Sequence, residues 1–333
     1  MPLFDCVKGV DISEIVCALP EQHFTLMEYA PHLLNEKTAA RMGRSTGFTS
    51  LRITPKGMTT ADLFTAAAEK LLAGRKRENI AAIVFVTQTP DYVVPATSHI
   101  LQDRLGLGNN TLCLDIDEGC SGFVTGLHIS SLLASKLNAP VLLGAGDTSS
   151  KFTSPDDRAS RCIFGDEAAA ILVEPGEQDI PFAFASYGDR KDVIIRENSG
   201  FRLVDNPKNN GCVYMDGVEI LNFSLTDVPE VINAFMSRND LTHDAITLYA
   251  CHQANKLILD SLANKLGIPR EKMPFTSGDI GNESSASIPS VIVRTGGGVQ
   301  LRNVLCCGFG VGMSVGVCLA NFSDTKTSEI YIP

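Results

Sequence analysis

Short apolar runs alternate here with amphipathic helical patterns and end in loops of small and polar residues. No other feature constrains the fold as much. The runs at residues 81–86, 111–116, 141–144, 168–173, 245–249 and 304–307 are rich in Val, Ile, Leu and Ala, as buried strands are. Residues 60–73 place Leu63, Ala67, Leu71 and Leu72 on one helical face, and residues 121–137 and Lys256–Leu266 behave likewise. Strands that are apolar along their length and alternate with helices belong to α/β layers, with helices covering both faces of a sheet.

The pattern occurs twice. Residues 82–89 form a strand that runs into a polar loop, and so do residues 246–253. Each is followed by a helix and then by a loop of small residues, Glu118-Gly119-Cys120-Ser121-Gly122 in one case and Gly281-Asn282-Glu283-Ser284-Ser285-Ala286 in the other. Each half closes on an apolar strand, at 168–174 and 313–322. The expected division is 1–176 and 177–333, with the small-residue loops at one end of the molecule. Residues 187–217, rich in Gly, Asn, Asp and Arg, read as a surface excursion that opens the second half and lies over the site as a lid.

Composition narrows the function. With 28 Lys and Arg against 38 Asp and Glu, the formal charge is −10, which disfavours nucleic acid and anionic membrane as partners. Ten cysteines occur with no CxxC pair, and no Cys/His cluster has zinc spacing, so neither a metal nor a redox cofactor is expected. No apolar stretch approaches the ~18 residues of a membrane span, and the first residues carry no basic, then apolar, leader pattern. The reading is a reduced, cytoplasmic protein.

Three residues carry the chemistry. Cys120 stands between a strand and a helix, where free N–H groups and the helix dipole favour a thiolate. His252 follows a strand in His252-Gln253-Ala254-Asn255, and Asn282 opens Gly281-Asn282-Glu283-Ser284-Ser285-Ala286-Ser287-Ile288-Pro289. Taken singly, each has an ordinary structural reading: a packed cysteine, a loop histidine, a helix cap.

Together, and in this order, they resemble the ketoacyl synthase III branch of the thiolase-like condensing enzymes. The matching stretches are Cys120-Ser121-Gly122-Phe123, His252 to Asn255 and Gly281 to Pro289, with Phe164-Gly165-Asp166-Glu167-Ala168-Ala169 and Gly308-Phe309-Gly310-Val311-Gly312. The resemblance runs from about residue 80 to the end. It implies a five-layered α/β/α/β/α fold of two similar halves and a homodimer in which the loop 89–95, with Val94, reaches the neighbour's acyl pocket.

The resemblance also implies an activity: a 3-oxoacyl-(acyl-carrier-protein) synthase III in fatty acid or related acyl-chain synthesis. Cys120 takes an acyl group from a thioester, carried on coenzyme A or on acyl-carrier protein. The enolate from decarboxylated malonyl-carrier protein then attacks it. His252 Nε2–H and Asn282 would hold the enolate oxygen, and the backbone N–H groups of Cys120 and Val311 the tetrahedral oxygen. Arg44, Val94, Asn255 and Phe309 are the substrate-binding candidates. Lys256, with Lys265, Arg270 and Lys272, is the candidate landing for the acidic carrier protein.

Two departures matter. Glu118 lies two residues before the nucleophile and opposes its ionisation unless it turns away into a salt bridge. The chain also has no Trp, so the family's Trp–Arg clamp on adenine cannot form, and either a longer acyl chain, a carrier-bound donor or stacking by Phe48 must replace it. A non-decarboxylating acyltransferase of the same fold is the alternative. The papain-like protease order Cys…His…Asn lacks its flanking motif and its fold. Gly144-Ala145-Gly146-Asp147 and Gly296-Gly297-Gly298 fit neither a dinucleotide fingerprint nor a phosphate loop.

Overall fold

The computed structural model describes residues 1–296 and 301–333, so Gly297 and Gly298 of the last glycine run lie outside the described residues. Nine strands among these form one hydrogen-bonded sheet: β1 Leu3–Pro20, β2 Ala82–Val86, β3 Leu112–Ile116, β4 Val141–Thr148, β5 Asp166–Ser186, β6 Leu248–Cys251, β7 Val304–Gly310, β8 Ser314–Ala320 and β9 Lys326–Ile332. The main helices are α1 Glu36–Thr46, α2 Thr60–Leu71, α3 Thr97–Arg104, α4 Gly122–Leu137, α5 Gly217–Leu225, α6 Asp227–Arg238, α7 Lys256–Leu266 and α8 Ser287–Thr295.

The duplication is present in the pairing. β2 and β4 are parallel, β4 and β5 antiparallel, and β5 and β1 antiparallel. β6 and β7 are parallel, β7 and β8 antiparallel, and β8 and the end of β5 antiparallel. The two sheets are continuous because β1 and β5 pass through both. Asp166 to Val173 of β5 pairs with β4, and Phe182 to Ser186 pairs with β8. Where the register shifts and both strands bend, a Cβ on Gly176 would fall 2.1 Å from the Asp11 carboxylate, so a larger residue would have to displace that side chain.

Side-chain alternation builds the layers. In β2, Ala82, Val84 and Val86 face a central core that contains Phe123, Val124 and Leu127 of α4 and Ile288, Val291 and Ile292 of α8, while Ile83 and Phe85 face Leu63, Phe64 and Ala67 of α2. In β7, Val304 and Cys306 face the same centre, while Leu305 and Cys307 face Ile232 and Phe235 of α6 and Leu262 of α7. The order is thus helices, sheet, helices, sheet, helices: the expected thiolase-like five layers. Each fully buried Phe or Leu contributes roughly 1.5–3 kcal/mol through lost contact with water.

Some boundaries differ from the sequence reading. The strand expected at 245–249 is Leu248–Cys251, because the Ala245 N–H donates back to the Thr242 carbonyl and closes a turn. The strand expected at 168–173 is part of a 21-residue strand. Residues 3–20, with no strand expected, form an 18-residue strand. The 187–217 excursion has little regular structure beyond a short pairing of Ile194 and Ile195 with Met215 and Tyr214. No described helix is long and apolar enough to cross a membrane.

Candidate active site

Cys120 sits just before Ser121, the N-cap residue of α4. The approach of the second half is set by a glycine: a Cβ on Gly308 would lie 2.7 Å from Ser121 Cα and 2.9 Å from the Cys120 carbonyl oxygen. β7 therefore lies directly against the start of α4. The salt bridge expected of Glu118 is absent among the described residues. Its Oε1 accepts the Ser121 hydroxyl at 2.7 Å, the nearest donor in the first turn of the helix.

Burial pushes the Cys120 thiol up to about 12, and the charge of Asp147 adds to the shift. The Ser284 hydroxyl and the backbone N–H groups of Cys120 and Val311 pull the other way. The resting group is a thiol, since the helix terminus alone does not offset the loss of water. Both amides nevertheless lie against the sulfur, and Sγ is 4.0 Å from Ser284 Oγ.

The backbone N–H of His252 donates to the Cys307 carbonyl at 2.8 Å, which extends the β6–β7 ladder to the histidine. Its buried ring meets Phe309 edge-on at 5.5 Å. Nδ1 lies 2.9 Å from Ser287 Oγ, and that hydroxyl donates to the Ser284 carbonyl at 2.7 Å. A hydroxyl has one proton. Given to Ser284, it accepts from Nδ1–H and leaves Nε2 as a lone pair. Turned to Nδ1, it leaves the ring proton on Nε2. Burial pulls the ring down to about 3, so it is neutral in either case.

Asn282 is fixed from three sides. Its N–H donates to the Ile163 carbonyl at 2.7 Å, its carbonyl accepts from Gly165 N–H at 3.2 Å, and its Oδ1 accepts from Ser284 N–H at 3.0 Å. Nδ2 has no acceptor among the described residues and is available as a donor. Gly165 is required here, because a Cβ would come 1.9 Å from the Ile280 carbonyl. Asp166 beside it is a structural pin, accepting from the backbone and hydroxyl groups of Thr54 and Ser150.

A cavity of about 1280 Å³ joins these groups. Cys120, His252, Asn282, Asn255, Phe309 and Val311 all line it. Asn255 also caps α7, accepting from Ile258 N–H at 2.9 Å. Arg44, Val94 and Lys256 lie outside the cavity wall. Arg44 is exposed on α1, flanked by the lining residues Met42 and Thr46, and Val94 projects into solvent beside the lining Val93. Lys256 pairs with Asp260 at 2.7 Å. Phe48 is fully buried against Phe275 and cannot stack on an adenine. Ile194 to Arg196, with Ser199 and Gly200, form part of the wall.

Sequence reasoning missed Asp147, Ser284 and Ser287. Asp147 ends Gly144-Ala145-Gly146-Asp147, which fits no nucleotide-binding pattern, and its signal is a carboxylate at the polar end of an apolar strand. Beneath the site, Glu167 and Glu283 are fully buried with no hydrogen-bond partner among the described residues. Burial pushes both carboxyls up, Glu283 to about 8, and the Glu283 charge raises Glu167 further.

Residues 114–188 match the family model for 3-oxoacyl-[acyl-carrier-protein (ACP)] synthase III, and residues 236–322 match the model for its C-terminal part. The beta-ketoacyl-[acyl-carrier-protein] synthase III 2 of Halalkalibacterium halodurans is 30% identical over 285 residues, which is 81% of this chain and 84% of that protein. The beta-ketoacyl-[acyl-carrier-protein] synthase III of Streptococcus equi subsp. zooepidemicus is 33% identical over 269 residues, covering 77% and 83%. The solved 3-oxoacyl-(acyl-carrier protein) synthase of Burkholderia xenovorans LB400 superposes with a TM-score of 0.92 at 30% identity over 99% of both chains. The chain therefore belongs to the 3-oxoacyl-(acyl-carrier-protein) synthase III family, thiolase-like condensing transferases of fatty acid biosynthesis.

Proposed function

We propose that this enzyme condenses an acyl thioester with malonyl-acyl-carrier protein through an acyl-cysteine on Cys120. The observation that carries the reading is the convergence of a thiol, a neutral imidazole and a free amide donor on one cavity, with two backbone N–H groups against the sulfur. In the first half-reaction the Cys120 thiolate attacks the donor carbonyl, and the amides of Cys120 and Val311 receive the oxyanion. In the second, malonyl thioester loses CO₂. Asn282 Nδ2–H stabilises the enolate oxygen, joined by His252 once Ser287 turns its hydroxyl to Nδ1 and the ring proton sits on Nε2.

The half-reactions separate in mutants. Cys120→Ala abolishes acyl transfer and retains part of the malonyl decarboxylation. Asn282→Asp keeps the Oδ1 contact to Ser284 but exchanges the donor for an acceptor. It is expected to acylate normally and to decarboxylate roughly 10²–10³-fold more slowly. Intact mass spectrometry reads the first step and CO₂ release the second. Equal loss of both steps in folded variants refutes the assignment, and acylation without CO₂ release in the wild type favours the non-decarboxylating transferase.

The volume of the cavity and the absence of an adenine clamp support a medium-chain or carrier-bound acyl donor, each buried CH₂ adding about 0.8 kcal/mol. We read the bend of β1 and β5 as the border between halves 1–176 and 177–333. We take the enzyme to be a cytoplasmic homodimer. β3 is a sheet edge with Leu112 and Leu114 exposed, and Tyr92, Val93 and Val94 are exposed as well. An unpaired apolar edge of this kind is normally covered. Carrier protein is read to dock beside Lys256, whose salt bridge to Asp260 is shared with Arg270 at 3.3 Å.

A further inference from the structure

Asp147 closes β4 on the central face of its sheet, buried to 1% exposure. Its Oδ1 is saturated: it accepts from the Thr87 hydroxyl at 3.0 Å, Gln88 N–H at 2.7 Å and the Thr89 hydroxyl at 3.1 Å. Its Oδ2 is equally buried and has no partner among the described residues, and no Lys or Arg forms an ion pair with it there. Residues 284–286 pack against β4, and the Ser284 hydroxyl favours the charge of this carboxylate without forming a hydrogen bond to Oδ2 among the described residues. The same hydroxyl is the one 4.0 Å from Cys120 Sγ. Ser284 is kept there by a left-handed backbone, φ 52°, which a non-glycine residue adopts only when its surroundings impose it.

We propose that Asp147 accepts the proton of Cys120 through Ser284, which makes the thiolate at the moment of acylation. With the serine hydroxyl turned to Asp147 Oδ2, the Sγ–H bond breaks and its proton passes to Ser284 Oγ, while the serine's own proton passes to Oδ2. The thiol becomes a thiolate, the carboxylate becomes a neutral acid, and the charge that opposes thiolate formation disappears in the same step. As the thioester C–S bond breaks, the departing thiolate takes a proton back along this path and Asp147 is ionised again. No co-reactant is needed.

The surrounding groups leave this role to Asp147. Glu167, its register partner on β5, and Glu283, on the loop that carries Ser284, are both raised by burial and hold their protons at neutral pH. Arg294 is tied to Asp279 and Glu329, and its charge acts on Glu167 and Glu283. His252 is neutral and engaged with Ser287. Asp117 lies on the far side of Gln88, whose side-chain N–H reaches it at 3.4 Å. Burial raises Asp147 only to about 6, so it is a carboxylate at pH 7 and a competent base.

The inference rests on Cys120 as nucleophile, and the test separates the two. The rate of alkylation of Cys120 by iodoacetamide is followed by peptide mass from pH 5 to 10, because Cys6 is exposed and reacts as well; the reaction needs no substrate. In the wild type a leg with an apparent pKa near 6 is expected. Asp147→Asn keeps the Oδ1 acceptor, and it is expected to lose that leg and to fall at least tenfold at pH 7. Ser284→Ala is expected to do the same, and it decides the matter if Asp147→Asn does not fold. If the aspartate only repels the thiolate, Asp147→Asn alkylates faster at every pH, and that result overturns the proposal. So does retention of the leg in Ser284→Ala. Acyl transfer that persists in Cys120→Ala overturns the nucleophile assignment instead.

Discussion

Gly310→Ala tests how tightly the second half holds the nucleophile of the first. Gly310 ends β7, paired with Ser314 of β8. A Cβ built on it lies 2.7 Å from Cys120 Cβ and 3.1 Å from Sγ. Ordinary contact begins at 3.4 Å, so one side must move by about 0.7 Å. The β7 backbone is held by its ladder to β8 and by the His252 N–H on Cys307, so the cysteine moves. Overpacking of this kind costs about 1–3 kcal/mol of stability, which a fold of this size tolerates. A misplacement near 1 Å costs roughly 10² in rate. Single-turnover acylation followed by intact mass is therefore expected to fall about 10²-fold, with malonyl decarboxylation much less affected, because it does not use Sγ. Acylation within about threefold of wild type in a folded variant refutes the reasoning, since it would mean that the cysteine adapts freely.

Glu283 has a folded-state pKa raised to about 8, so it favours the folded state at low pH and this contribution is lost as pH rises from the ordinary carboxylate range through 8. The loss accrues at up to about 1.4 kcal/mol per pH unit. Glu283→Gln is expected to melt above wild type at pH 8 and to converge with it near pH 5, and parallel melting curves across that range contradict the assignment. Leu114→Glu, on the exposed edge strand β3, is expected to shift light scattering from dimer to monomer and to lower activity. A dimer that persists removes this edge as the interface. Lys256→Glu is expected to raise KM for carrier-bound malonate about five- to tenfold at low salt, and less at high salt. An unchanged KM moves the carrier surface elsewhere.

The parts of the site legible in the sequence are those fixed by local backbone demands. Gly119 and Gly122 around Cys120, the small residues after Asn282, and the apolar strand before His252 each mark a turn or a close approach that few residues satisfy. What was not legible depends on pairing across the chain. Residues 174–179, Glu-Pro-Gly-Glu-Gln-Asp, carry no apolar strand pattern, yet they lie within β5 because β1 supplies the matching edge. β1 itself mixes charged and apolar residues around Gly9, and its burial at Val10, Ile12 and Ile15 comes from sheets formed hundreds of residues later. Glu118 shows the same limit: its nearness in sequence makes its charge a threat to the thiolate, but the carboxylate that acts on Cys120 is Asp147, which reaches it through tertiary structure.

That carboxylate changes how the two halves cooperate. Cys120 comes from the end of β3, while Ser284 and Asn282 come from the second half, on a loop threaded past Gly165 of the first. The bare oxygen of Asp147 and the hydroxyl proposed to link it to the sulfur thus stand on opposite halves. A shift between the halves that is too small to unfold either would carry the Ser284 hydroxyl away from both base and nucleophile. β1 and β5, each running through both sheets, oppose such a shift, because sliding one half would break their ladders along most of their length. The long strands that the sequence concealed thus hold the proton path, and not only the cavity, at working distance.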